Sequence, residues 1–141
     1  ISDFYKRRTT KEELFECHIS IGGKKADVCC LYDSGNFLRE TLSGLPVAVV
    51  ERSALKKILP EEAFRETDLF ETLSKNPAFR NRLFLIPFKG AAENGLLTGF
   101  RPDVFMIGEK ARRAVVAIVP KDLDRNGKYR GIIGRELCYG E

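Results

Sequence analysis

The chain has 141 residues, 43% of them hydrophobic and 31% charged, which suits one domain with a core of its own rather than two. Its formal charge of +4 is spread over the ends and turns instead of one aromatic-rich basic stripe, which argues against nucleic acid as a partner. No apolar run approaches the roughly 20 residues of a membrane-spanning helix, and no apolar segment of the signal-peptide kind follows the charged start. The chain as it stands reads as soluble. It starts at Ile1 and soon carries Lys6, Arg7 and Arg8, as expected of a domain taken from a longer protein. Were membrane to precede it, those cations would lie on the cytoplasmic side.

In chain order, Phe15, Cys17, Ile19 and Ile21 alternate with polar residues and the run Ala26 to Tyr32 follows, which predicts two strands joined at Gly22-Gly23. The four cysteines, at positions 17, 29, 30 and 138, do not make the framework of a small secreted domain and fit a reducing compartment. They also lack the paired C-x-x-C spacing of a zinc site, so core cysteines and no metal are expected. Asp33-Ser34-Gly35-Asn36 then reads as a turn at the end of a largely buried strand. A polar group there must be hydrogen-bonded or functional.

Leu45 to Val50 predicts a third strand, followed by a mainly helical insertion over residues 53–77 with Ser53 as its cap. Within it Phe64, Leu69, Phe70 and Leu73 recur at helical spacing, the mark of a face packed on the sheet. Arg82 to Phe88 and Leu96 to Phe100 predict a second hairpin, with a flexible tip made of Gly90, Ala91, Ala92, Glu93, Asn94 and Gly95. Val104 to Ile107, a solvated charged turn over residues 109–113, and Ala114 to Val119 come next. The stretch Asp122 to Gly127 resembles a calcium loop only superficially: Leu123 and Arg125 supply no ligand and no bidentate glutamate follows, so a surface turn is expected. Gly131-Ile132-Ile133-Gly134 and a short tail with helical character close the chain. Arg80, Arg82, Arg101, Arg112 and Arg113 flank strands, where charges ordinarily protect edges.

Asp33 is the residue that carries chemistry. Two Asp-Ser/Thr-Gly turns facing each other bring two carboxylates together, and their repulsion leaves one proton shared between them. One carboxylate then acts as general base on a water while the other acts as general acid. Ser34 would lock the turns together through its hydroxyl, and Gly35 would let the backbone fold tightly beneath the carboxylate. The tripeptide alone is an ordinary turn composition. Its setting is more specific: the hairpin at Ile19 to Gly23, the Asp33 turn, a later hairpin around residues 90–95 as a mobile flap, and the apolar-apolar-glycine segment Ile132-Ile133-Gly134 occur in the order an aspartic protease needs. The tripeptide occurs once, so the second carboxylate must come from a second copy of the chain.

That arrangement, with Gly131-Ile132-Ile133-Gly134-Arg135, resembles the retropepsins. Asp33 to Leu38, Leu45 to Glu51, Ile86-Pro87-Phe88, Asn94 to Asp103 and the stretch from Ala117 to Tyr129 together resemble the sporulation sigma-E factor processing peptidases of endospore-forming bacteria. The resemblance runs from Phe15 to Leu137. It implies a mainly β, retropepsin-like closed barrel or sandwich, half of a pepsin, with the helical insertion on it. Residues 1–13 would be a juxtamembrane linker and residues 14–141 the protease domain, the N-terminal membrane domain being absent from this chain. It further implies a homodimer without cofactor or metal, facing the mother-cell cytoplasm at the sporulation septum. There it would cleave the pro-segment of pro-sigma-E once a secreted signal protein acts through the membrane domain.

The alternative is a catalytically silent, retropepsin-like module that captures peptides by strand addition. A serine hydrolase is disfavoured because Ser34 lacks a G-x-S-x-G elbow and the only histidine, His18, lies within a strand. An aspartyl-phosphate enzyme would need a doubly wound sheet around Asp33, and strands flank it instead.

Overall fold

A computed structural model describes residues 12–65, 68–89 and 94–140. β1 (Leu14–Ile21) and β2 (Lys24–Tyr32) form the expected antiparallel hairpin, with Leu14 opposite Leu31 and Ile21 opposite Lys24. Its turn residues Gly22 and Gly23 have φ of 60° and 79°, the left-handed backbone that a tight hairpin connection demands and that glycine supplies without strain. Next come β3 (Val47–Glu51), α1 (Leu69–Ser74), β4 (Leu83–Lys89), β5 (Asn94–Phe100), β6 (Val104–Ile107), β7 (Lys110–Arg112), β8 (Val115–Val119), β9 (Gly131–Ile133) and α2 (Arg135–Tyr139).

Among the described residues the strands make one nine-stranded sheet in the order β4-β5-β8-β3-β9-β2-β1-β6-β7, curled into half a barrel. The mainly β, retropepsin-like expectation is borne out. β3 and β8 pair in parallel at the centre, and every residue of both is buried. Burial on both faces is why these strands read as unbroken apolar runs rather than alternating ones. Ala48, Val50, Val116 and Ile118 enter a large core on one face, together with Leu55, Ile58 and Phe79 of the segment that covers it. Val47, Val49, Val115 and Ala117 enter a smaller cluster on the other face, where Leu38, Phe84, Leu97 and Leu123 pack.

The insertion is less helical than its composition suggests. Arg52–Leu55 and Glu61–Phe64 are single 3-10 turns, and among the described residues of the insertion only α1 is α-helical. Pro60 and Pro77 break the segment. Ser53 is not a cap: Glu51 stands at that position, and the Ser53 hydroxyl donates to the Glu51 carboxylate at 3.2 Å. α1 is capped instead by Asp68, which accepts from the Glu71 amide at 3.0 Å. Phe64 and Leu69 pack on the large core and Leu73 is buried in it, as helical spacing implied.

The charged stretch at residues 109–113 is also more than a turn. Lys110–Arg112 forms β7, and the Arg112 Nε donates to the Leu137 carbonyl at 3.0 Å at the end of α2. Asp122 to Gly127 is a surface turn: Asp124 accepts from the amides of Asn126 and Lys128 at 3.3 and 2.8 Å. Arg82 pairs with Asp103 at 2.5 Å. Among the described residues no helix is long and apolar enough to cross a membrane.

Candidate active site

β2 lies between β1 and β9, and its last residue, Tyr32, is in register with Ile133 of the parallel strand β9. The chain leaves the sheet one residue later. The Asp33 amide still donates to the Ile133 carbonyl at 2.9 Å, which holds the start of the turn against β9. The turn closes through the Asn36 amide, which donates to the Asp33 carbonyl at 3.0 Å. The Gly35 amide donates to Asp33 Oδ1 at 2.9 Å, fixing the orientation of the carboxylate. Asp33, Ser34 and Gly35 are all exposed.

Gly134 follows β9 directly beneath this turn. A Cβ built on it would stand 2.1 Å from the Asn36 carbonyl oxygen, so the two backbones approach more closely than any side chain permits. Its φ of −98° is open to any residue, which makes proximity the reason for glycine. Asn36 Oδ1 accepts from the Leu38 amide at 3.1 Å. Its Nδ2 is buried with no partner among the described residues, an unusual state for a buried donor.

Asp33 opens onto a cleft of about 630 Å³ whose walls include Phe37, Val49, Pro87, Phe88, Leu123 and Ile132. Asp33 is the only acid among the described residues that line it, and Lys89 the only base. Pro87, Phe88 and Lys89 are the outer end of β4, so the cleft spans from the Asp33 turn to the tip end of the second hairpin. Of the flap candidates, Gly90, Ala91, Ala92 and Glu93 lie outside the described residues. Asn94 and Gly95 are the first residues of β5, in register with Lys89 and Phe88. The phenol of Tyr129 is pushed above its ordinary range by burial and by the charges of Asp124, Glu12 and Asp33.

The cysteines form no disulfide. Cys30 is raised by its contact with Cys17 and by burial, Cys29 is raised mainly by burial, and burial carries Cys138 to about 12. All three thiols therefore stay protonated at neutral pH. His18 has a partner that sequence did not suggest: its Nδ1 stands 2.6 Å from Asp27 Oδ1, directly across the β1–β2 ladder. The walls of the cleft were also missed. Phe37 left a trace in the sequence as an apolar residue just beyond the turn, whereas Leu123 is brought in from a loop remote from Asp33.

The sequence profile of a peptidase family, U4, described as "Sporulation factor SpoIIGA", matches residues 1–137. The chain belongs to that family. A SpoIIGA-family match of this extent covers every strand described above. Among individual relatives, the "Sporulation sigma-E factor-processing peptidase" of Bacillus subtilis (strain 168) is 26% identical, over 100% of this chain and 50% of its own length. The protein of the same name from Priestia megaterium is 25% identical, over 97% of this chain and 48% of its own. A Bacillus thuringiensis subsp. kurstaki protein, named for sporulation sigma factor processing, is 24% identical over 98% of this chain and 97% of its own length. The chain thus spans about half the length of two of these relatives and nearly all of the third.

Proposed function

We propose that the chain is the peptidase domain of an aspartic endopeptidase that acts as a homodimer on pro-sigma-E, with Asp33 of each copy forming the catalytic pair. The observation that carries this reading is the solitary acid. Asp33 is exposed and lines an apolar cleft, oriented by the Gly35 amide and backed by Gly134, with no second acid among the described lining residues. One carboxylate cannot serve as base and acid in the same step, so a copy related by two-fold symmetry completes the site. The names of the relatives, which specify sigma-E factor processing, support the choice of substrate.

In the paired site one carboxylate takes a proton from the bound water as its oxygen attacks the scissile carbonyl carbon. The other donates a proton to the carbonyl oxygen; the first then passes its new proton to the amide nitrogen while the second takes one back from the gem-diol, and the C–N bond breaks to release acid and amine. Residues 90–95 would close over the substrate as the flap, because the strand that leads into them already lines the cleft. Ser34 would bind the facing turn. The greater length of the two sigma-E-processing relatives supports a larger protein; on this reading a membrane domain precedes the present one. That protein would sit on the mother-cell side of the septum and respond to a secreted signal protein. Co-expression of the full-length protein with pro-sigma-E tests the reading. Asp33→Asn is expected to lower processing by at least about 100-fold at unchanged protein level. Equal processing by the variant would contradict it, and loss of cleavage with retained binding separates catalysis from mere peptide capture.

A further inference from the structure

We infer that Glu51 is a positioning residue for substrate: its buried carboxylate ties the 120–130 loop to the end of β3 and so sets Leu123 as a wall of the Asp33 cleft. The inference rests on the peptidase reading above. Val47, Val49 and Glu51 alternate onto one face of β3, the face that carries the smaller apolar cluster. Val49 lines the cleft, so Glu51 stands one strand repeat beyond it. Glu51 is only 3% exposed.

Its carboxylate is shared among groups from both ends of the loop. Oε2 accepts from the Leu123 amide at 2.7 Å, and Oε1 accepts from Arg130 Nε and the Ser53 hydroxyl, each at 3.2 Å. The Arg130 guanidinium also bonds Ser53, and the Glu51 amide donates to the Arg130 carbonyl at 2.9 Å. Between these anchor points the bonds of Asp124 close the loop on itself without reaching β3. Leu123 is where the anchor and the cleft meet: its amide is held by Glu51 while its side chain packs on the smaller cluster and lines the cleft. The Glu51 carboxylate is buried while the Arg130 side chain is 44% exposed, and a carboxylate so buried must be held by its hydrogen-bond donors, which fixes the donors' segments against it. Here the geometry fixed is that of a substrate-facing wall.

The test is steady-state cleavage by the purified full-length protein of a pro-sigma-E peptide that spans the scissile bond. Glu51→Gln is expected to raise KM about tenfold with kcat within about twofold, because it loosens a binding wall and leaves Asp33 untouched. Leu123→Ala, with the anchor intact, is expected to raise KM to a similar extent, and the double variant no further than either alone. Unchanged KM in both single variants, additive effects in the double variant, or a fall in kcat at constant KM would overturn the inference. If Glu51→Gln does not fold, Arg130→Gln, which weakens the same anchor and keeps Leu123, is expected to raise KM at constant kcat, and an unchanged KM overturns the inference. The Asp33→Asn control keeps the two readings apart: cleavage that survives it refutes the peptidase assignment, whereas its loss beside a normal KM in the Glu51 and Leu123 variants refutes only the role of Glu51.

Discussion

Gly134 shows how far a single hydrogen atom in place of a methyl group can matter. Gly134→Ala would push Cβ against the Asn36 carbonyl and displace the turn that holds Asp33. Overpacking of this kind costs about 1–3 kcal/mol of stability, and misplacement of a catalytic group by about 1 Å costs about 100-fold in rate. The expected outcome is therefore a folded protein with a modestly lowered melting temperature and a disproportionate loss of cleavage. On the outer face of the β1–β2 hairpin, the hydrogen bond from His18 holds the Asp27 carboxyl below its ordinary value of 3.8, helped by the charge of Lys25 and opposed by slight burial. With the folded value depressed, the pair stabilises the fold above pH 3.8 and the contribution is lost as pH falls through the lower folded value. Solvent screening keeps it small. An NMR titration should show the Asp27 value rising toward 3.8 in His18→Gln, and an unchanged value would remove His18 as the cause. Cys30 and Cys138, protonated by contact and burial, should react with a thiol reagent at neutral pH far more slowly in the native protein than in denaturant.

At the scale of elements, the two hairpins and the buried pair β3 and β8 were legible because each announces itself locally, by alternation, by glycine turns or by an unbroken apolar run. The insertion was not. Its helical spacing was real, but the prolines at 60 and 77 divide it into pieces too short to be helices of any length, and tertiary contacts decide their shape. Phe79, just beyond α1, packs edge-to-face on Phe100 of β5 with centroids 5.1 Å apart and fastens the insertion to the sheet. Phe79→Ala should cost about 3–5 kcal/mol in denaturant unfolding, the range for emptying a buried aromatic site. A cost below about 1 kcal/mol would mean that the insertion is held elsewhere. The Asp33 turn was legible for the same local reason as the hairpins. Its walls were not, because Val49, Phe88 and Leu123 are brought together only by sheet order and by a carboxylate that bonds an amide 72 residues away.

At the scale of the whole molecule, the half barrel leaves Asp33 exposed at one rim of the sheet with a cleft that holds one acid among its described residues. Activity is therefore expected of pairs of chains rather than of single ones. Mixing wild-type and Asp33→Asn chains in equal amounts, under co-expression with pro-sigma-E at constant total chain, measures this directly. If both carboxylates are required, only pairs of two wild-type chains cleave, and processing should fall to about one quarter of the all-wild-type rate. Processing at about one half, the value for chains that act independently, or no fall at all, would contradict the shared site.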